Sequence, residues 1–345
     1  TTYSLTDTPA LGGGLTAVSL TWERLGSGMV RTGTLPTAQL ATDYSIAVGA
    51  THTYRVVVTT APTTAPAASP PTCDGEGGSG FVNEADLTYD GRALEASACA
   101  EPASPSVTKT ALDAVQDPAT GTWRVAYDVV VGYPAVDGED QPDTVGYTLT
   151  DTPTLPTGAT LVGTWRASGP VPAGSGALDA SFDGVAQQHL ADGVLAIGES
   201  STYRVEADVA LSPDVTATAL RCTEGGHGGV RNTAVVGNGL GTDHASACTP
   251  ITPPTVTVDK EVVGTPSQAA DGSWTIAYDV VVTNADTDEA ATYRLVDTLD
   301  YGDGITVLGA TWAPAAGGTP TVFVQDPPGT WRAEIVASGL LAPAS

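Results

Sequence analysis

Lysine is almost missing from this chain: it stands at two positions, Lys109 and Lys260, beside eleven arginines, and the formal net charge is −26. That shortage excludes nucleic-acid binding, which needs clustered Lys and Arg to neutralise phosphates. It also disfavours an anionic membrane surface. No apolar run of about 18 residues occurs, so no membrane contact is expected within this segment, and no signal peptide or sorting tail is visible. There is no Cys-x-x-Cys and no Cys/His cluster of zinc type, so no metal or cofactor is expected. Neither a Ser/His/Asp arrangement, a P-loop nor a Rossmann fingerprint appears, and catalysis on an external substrate is not expected. The 40 glycines and 25 prolines lie between apolar runs without a period, which excludes collagen.

What is present is a repeat. Cys73 and Cys222 are 149 residues apart, as are Cys99 and Cys248, Asn83 and Asn232, and Tyr54 and Tyr203. Lys109 and Lys260 are 151 apart, as are Asp128 and Asp279 within the shared string Ala-Tyr-Asp-Val-Val-Val. Leu-Thr-Asp-Thr-Pro at 5–9 returns at 149–153 and, as Leu-Val-Asp-Thr-Leu, at 295–299. A unit of about 150 residues is domain-sized, unlike the short units of solenoids. The spacing predicts one complete copy over 105–252, the C-terminal two-thirds of a preceding copy over 1–104, and the N-terminal two-thirds of a following one over 253–345. A window cut from a longer array is the expected origin.

Hydrophobic content of 41% suits a globular chain rather than a disordered acidic tail. Short β-rich runs alternate with Gly, Pro and Asp, and no segment holds a helical apolar period. In the complete copy the pattern predicts strands near 106–112, 122–132, 144–152, 158–167, 179–197, 201–211, 217–222, 230–237 and 243–249. The fold class expected is all-β: tandem Ig-like antiparallel β-sandwich domains joined by short Pro-rich linkers, with another Greek-key barrel as the alternative. The joints Cys99-Ala-Glu-Pro-Ala-Ser-Pro and Cys248-Thr-Pro-Ile-Thr-Pro-Pro are of the stiff, extended kind. The biased segment 59–72 reads as an exposed loop, solvated or O-glycosylated. Two cysteine pairs with identical spacing predict disulfides Cys73–Cys99 and Cys222–Cys248, hence an oxidising, extracellular compartment, with free buried thiols as the alternative.

Thr-Lys-Thr at 108–110, Tyr-Asp-Val-Val-Val at 127–131, Leu-Thr-Asp-Thr-Pro, a following Gly-rich strand with Trp165, and Arg-Asn-Thr-Ala-Val at 231–235 together resemble the Ig-like conserved repeat of large Gram-positive cell-surface proteins. The resemblance spans essentially the whole chain. It departs from the family where Asp128 and Asp279 replace a usual Thr, and in its cysteine pairs. It implies a cell-surface stalk, adhesin or fibre without enzymatic activity. It also implies that the Lys-bearing first strand neighbours the late Asn-bearing strand, so that a lysine amine can attack an asparagine carboxamide, release ammonia and leave an isopeptide bond. The amine must be neutral, and a nearby protonated carboxyl must polarise the amide.

The candidates are Lys109, Asn232 and Asp151, with Asp128 as the alternative acid. Equivalent positions are Asp7 and Asn83 in the first copy, and Lys260 and Asp297 in the third. The alternative reading makes Lys109 a strand-edge salt-bridge partner and Asn232 a turn or bulge residue. Lysine survives at this register although Thr108-Lys109-Thr110 became Asp259-Lys260-Glu261. Acidic groups at 137–140, at Asp286, Asp288 and Glu289, and at Asp300 with Asp303 match no calcium pattern and read as hydrated loops. His52, His189, His227 and His244 do not recur in register, and His227 and His244 are candidates for sharing a hairpin end. Expected partners are neighbouring repeats of the same chain and other copies in a fibre. A glycan- or protein-binding adhesin module and a phage or virion fibre are the rival readings.

Overall fold

In the computed structural model, the described residues are 1–12, 14–62, 72–73, 80–102, 104–135, 141–224, 228–326 and 328–344. His227, the acidic group at 137–140 and most of the biased loop lie outside them. The first repeat holds β1 (Thr2–Leu11), β2 (Leu15–Arg24), β3 (Val30–Thr32), β4 (Ala38–Ser45), β5 (Tyr54–Pro62), β6 (Phe81–Tyr89) and β7 (Arg92–Ala100). The middle repeat holds β8 (Ser106–Ala111), β9 (Val115–Asp117), β10 (Thr122–Gly132), β11 (Thr144–Thr154) and β12 (Ala159–Val171). It continues with β13 (Gly176–Leu178), β14 (His189–Ala196), β15 (Ser200–Leu211), the short helix α1 (Ala217–Leu220), β16 (Val230–Gly237) and β17 (Thr242–Thr249). The third repeat holds β18 (Val256–Gln268), β19 (Trp274–Asn284), β20 (Ala291–Leu299), β21 (Thr311–Trp312), β22 (Thr321–Val322), β23 (Val324–Gln325) and β24 (Trp331–Leu341).

The chain is all-β, built as tandem antiparallel sandwiches. In the middle repeat one sheet runs β12-β15-β10-β8, with β9 also on β10, and the other runs β13-β14-β11-β16-β17. β8, β10, β12 and β15 in one sheet against β11, β16 and β17 in the other is the immunoglobulin arrangement, with β14 added beside β11. Alternation causes it: Trp123, Val125, Tyr127, Val129 and Val131 point inward along β10 and are buried, while the residues between them are only partly covered. Tyr203, Val205, Ala207 and Val209 on β15 extend the same face, and Leu149, Ala234 and Val236 close it from the other sheet. Each such Val or Leu taken fully from water stabilises by roughly 1.5–3 kcal/mol. The hydroxyls of Tyr147 and Tyr203 meet at 2.5 Å between the sheets, and Tyr3 and Tyr54 repeat that contact at 2.7 Å in the first repeat.

Two expected strands differ from what is seen. The segment 217–222 holds α1 instead, because the Thr216 hydroxyl caps it by accepting from the Ala219 N–H at 3.3 Å. The segment 179–197 is a strand only from His189. Asp179 and Asp183 turn the chain before it, their carboxylates accepting the N–H groups of Ser181 (2.8 Å) and Val185 (2.8 Å). Between the middle and third repeats, the Gln116 side chain donates to the Ala290 carbonyl at 2.9 Å and accepts from its N–H at 2.6 Å. Among the described residues no helix is long and apolar enough to cross a membrane.

Candidate functional site

β11 runs through the centre of its sheet, and its buried positions are Val145, Tyr147, Leu149 and then Asp151. The period of two therefore carries a carboxyl to the place where a fourth apolar residue would sit. On β16 the same period buries Val230, Asn232, Ala234 and Val236. Asp151 lies opposite Ala234, and Asn232 lies opposite Pro153 on one side and Ala247 on the other. Lys109 comes from the facing sheet, opposite Val129 at the β8 edge. That edge folds against β16 and β17. Asp243 fixes it there, its carboxylate accepting the Val107 N–H at 2.9 Å.

Lys109 Nζ contacts Asp151 Oδ2, and both side chains are 0% exposed. The ammonium also stands 5.4 Å from the centroid of the Tyr127 ring, whose hydroxyl donates to the Val230 carbonyl at 2.7 Å. Burial pushes the Lys109 amine down and the Asp151 carboxyl up, against their mutual attraction. Both shifts favour the uncharged amine and acid, since desolvation penalises either charge. Asn232 lies near enough to favour the carboxylate form of Asp151, yet neither of its amide atoms makes a hydrogen bond of ordinary geometry.

Among the described residues, the buried side-chain nitrogens and oxygens without a partner are Asp7 Oδ1, Asn83 Oδ1, Asp151 Oδ1 and both amide atoms of Asn232. An unsatisfied buried polar atom costs about 1–3 kcal/mol, so such atoms are rare and call for an explanation. All five belong to equivalent positions of two repeats. In the first, Asn83 Nδ2 donates to Asp7 Oδ2 at 2.8 Å, and burial raises the Asp7 carboxyl. In the third, Lys260 Nζ pairs with Asp297 Oδ1 at 2.7 Å, with side chains 36% and 15% exposed, and lies 5.0 Å from the Tyr278 ring centroid. The acid is thus present three times: with Asn alone, with Lys and Asn, and with Lys alone.

Asp128, the alternative acid, takes no part in the buried cluster. β10 sends it to the opposite face, where Arg204 donates from Nε at 2.9 Å and Nη2 at 3.0 Å to its two oxygens. The structure joins Cys73 to Cys99 and Cys222 to Cys248. A side chain at Gly80 or Gly229 would press against both sulfurs of the adjacent disulfide. Those glycines are also 149 apart, a recurrence that could have flagged them. The tyrosine rings beneath the two lysines were missed as well, although Tyr127 and Tyr278 recur in the shared string.

His52 and His189 lie elsewhere. His52 contacts the Tyr3 hydroxyl at 2.7 Å, and His189 bridges Asp179 and Asp192 at 3.0 and 3.2 Å. Asp286 is occupied by its own turn, accepting the N–H groups of Asp288 and Glu289 at 2.9 Å each.

No protein-family model matches the chain, and no curated protein matches it. Among solved structures it has a likeness to the Corynebacterium diphtheriae major pilin SpaA, described as pointing to a modular pilus assembly with stabilising isopeptide bonds. That likeness is at 11% identity and a TM-score of 0.24, over 98% of this chain and 83% of the pilin. A second is to the RrgB pilus protein of Streptococcus pneumoniae, at 10% identity and a TM-score of 0.20, over 99% of this chain and 54% of that one. Likenesses this weak assign neither fold nor function.

Proposed function

We propose that the chain is a structural segment of an extracellular, cell-surface stalk or fibre, with residues 1–104, 105–252 and 253–345 as successive Ig-like units. The middle unit locks itself by an isopeptide bond between Lys109 and Asn232, promoted by Asp151. The observation that carries this is the wholly buried Lys109–Asp151 contact beside an Asn232 amide with no partner. Stability alone does not account for it. Replacing a buried ion pair by apolar residues of similar volume is often neutral or stabilising, and unpartnered amide atoms only add cost.

The neutral Lys109 amine adds to Asn232 Cγ, and the protonated Asp151 gives its proton to the amide oxygen. Collapse breaks Cγ–Nδ2, and ammonia leaves carrying a proton that came from the lysine. One C–N bond forms, one breaks, and the chain acts only on itself. A bond from the first strand to a late strand of the same unit keeps tension along the chain from peeling β8 off the sandwich. The disulfides support an oxidising compartment. Partners on this reading are the adjoining repeats and other copies of the chain.

The test is intact mass of the full chain, unfolded, reduced and alkylated. The expected result is loss of one ammonia, abolished by Lys109→Ala, by Asn232→Ala and by Asp151→Ala, with one peptide joining residues 109 and 232. Loss of one water instead would put the bond on Asp151. An unchanged mass would leave a buried salt bridge and eliminate the isopeptide.

A further inference from the structure

β8 brings Lys109 to the buried cluster without a main-chain ladder to the sheet that carries Asn232. Among the described residues its ladder is with β10 alone, although it lies against β16 and β17. Two side chains of β17 stand in for that ladder. At one end the half-buried Asp243 accepts the Val107 N–H through Oδ2 at 2.9 Å, while its Oδ1 accepts the His244 N–H at 2.9 Å. At the other end the buried Thr249 hydroxyl donates to the Leu112 carbonyl at 3.4 Å. Residue 107 is gripped from 243 and residue 112 from 249, so β8 is held parallel to β17. Lys109 stands between the two grips.

Both grips bear on where the amine lies. Val107 and Lys109 share the inward face of β8, whereas Thr108 and Thr110 between and beyond them are exposed. A slip of one residue would send the lysine to water, since side chains alternate along a strand. The bond from Asp243 is made two residues before Lys109 and fixes that register. Thr249 ties the far end to the cluster itself. It lies opposite Val230 on β16, and the Val230 carbonyl accepts the hydroxyl of Tyr127, whose ring lies beneath the Lys109 ammonium. The counterparts of Asp243 and Thr249 in the first repeat are Leu94 and Ala100, so neither grip belongs to the framework that recurs.

We infer that Asp243 and Thr249 are positioning residues for the bond between Lys109 and Asn232, clamping β8 onto β17 so that Nζ is presented to Asn232 Cγ before the two are joined. This rests on the cross-link proposed for the middle repeat. Neither residue touches the reacting atoms, and the proton path through Asp151 is unchanged. An amine adding to a carboxamide carbon gains from being held in a near-attack geometry, and a misplacement of about 1 Å can cost on the order of 100-fold in rate. Once the bond exists it holds β8 by itself. The clamp therefore governs how fast the bond forms and has little bearing on the finished product, whereas a merely structural role would show in the finished product and leave the rate alone.

The experiment makes the full chain by cell-free synthesis under oxidising conditions and stops translation. Loss of ammonia is then followed by intact mass, and folding by tryptophan fluorescence. Asp243→Ala, and independently the near-isosteric Thr249→Val, should fold as fast as the unsubstituted chain yet lose ammonia about 10- to 100-fold more slowly, reaching the same final mass. Asp243→Asn and Thr249→Ser keep an oxygen at each grip and should recover most of that rate. Amide exchange in a Lys109→Ala chain, which cannot cross-link, reads the clamp directly: the Val107 N–H should be protected there and lose protection when Asp243→Ala is added. An undiminished rate in both Asp243→Ala and Thr249→Val, a loss that Asp243→Asn does not recover, or a Val107 N–H indifferent to Asp243 would overturn the inference. A bond that forms at full rate without the clamp sinks the inference alone. An unchanged mass in the unsubstituted chain sinks the proposed cross-link, and the inference with it.

Discussion

The middle and third repeats carry nearly the same first two strands, yet one pair is core and the other is surface. Trp123 is buried and Trp274 is not, although both begin the same alternating strand and both lie beside a Lys-bearing neighbour. The difference lies in what faces them. β15 pairs with β10 in its own sheet and β16 and β17 fold over the middle pair, whereas among the described residues the sheet opposite the third repeat's pair holds β20, β24 and β23. The dry setting that pushes the Lys109 amine down and the Asp151 carboxyl up is thus a property of the closed sandwich and not of the strand that bears the lysine.

The largest break in the comparison should come from the lysines. With the proposed bond between residues 109 and 232, Lys109→Ala opens a loop whose closure stabilises by about 5 kcal/mol. The middle repeat's thermal midpoint should fall by roughly 10–20 °C in calorimetry. Lys260→Ala removes a partly exposed pair, and its effect on the third repeat should stay within about 1 kcal/mol after solvent screening. Equal losses at both positions would show that the two sites are alike.

Next come the tryptophans. Trp123→Ala should cost about 3–5 kcal/mol through the cavity it leaves, read from the shift of the denaturant midpoint. Trp274→Ala should cost under about 1 kcal/mol, because its ring already meets water. A large loss at Trp274 would mean that its ring is covered rather than exposed.

The disulfides separate covalent span from surroundings. Both close the same separation of 26 residues, worth roughly 3.5 kcal/mol by chain entropy. Cys222 and Cys248 sit in the complete repeat, whereas β7, which carries Cys99, is exposed along its length. Cys73→Ser with Cys99→Ser, and Cys222→Ser with Cys248→Ser, should destabilise their own repeats to within about 1 kcal/mol of each other. A clear excess in the middle repeat, seen by calorimetry, would assign the stabilisation to packing instead.

Much of the middle site was legible because it obeys period two. Three apolar residues at alternate positions before Asp151, and Val230, Ala234 and Val236 around Asn232, announce that a polar residue has been placed on the inner face. The alternation of Asp128 with Tyr127 likewise announced its opposite side. What stayed hidden depends on partners distant in sequence. Nothing local says that Tyr147 and Tyr203 meet, or that Val107 is held by Asp243. The helix at 217–220 and the turns at Asp179 and Asp183 were hidden for another reason. One side-chain hydrogen bond to a nearby N–H decides each of them, and apolar patterning does not register it.

Asp7 gives a smaller effect with a definite sign. Burial raises its carboxyl above the ordinary value. Its contribution to stability is therefore whole below the unfolded carboxylate pKa and is lost as pH rises through the raised folded value. The first repeat's midpoint should fall by a few degrees from mildly acidic to neutral pH, and Asp7→Asn should flatten that dependence. A midpoint that rises across the same range would reverse the assignment.

The smallest effect sets a paired aspartate against an exposed one. Arg204 and Asp128 form a two-pronged pair, but with side chains 46% and 29% exposed it is screened by water, and Asp128→Asn should cost the middle repeat no more than about 1 kcal/mol. Asp279 repeats that position on β19, is exposed, and has no ion pair among the described residues. Asp279→Asn should therefore leave stability unchanged within about 0.5 kcal/mol, as for most surface substitutions, when read from the denaturant midpoint. A loss at Asp279 as large as that at Asp128 would show that the pairing with arginine contributes nothing and that the backbone position alone sets the cost.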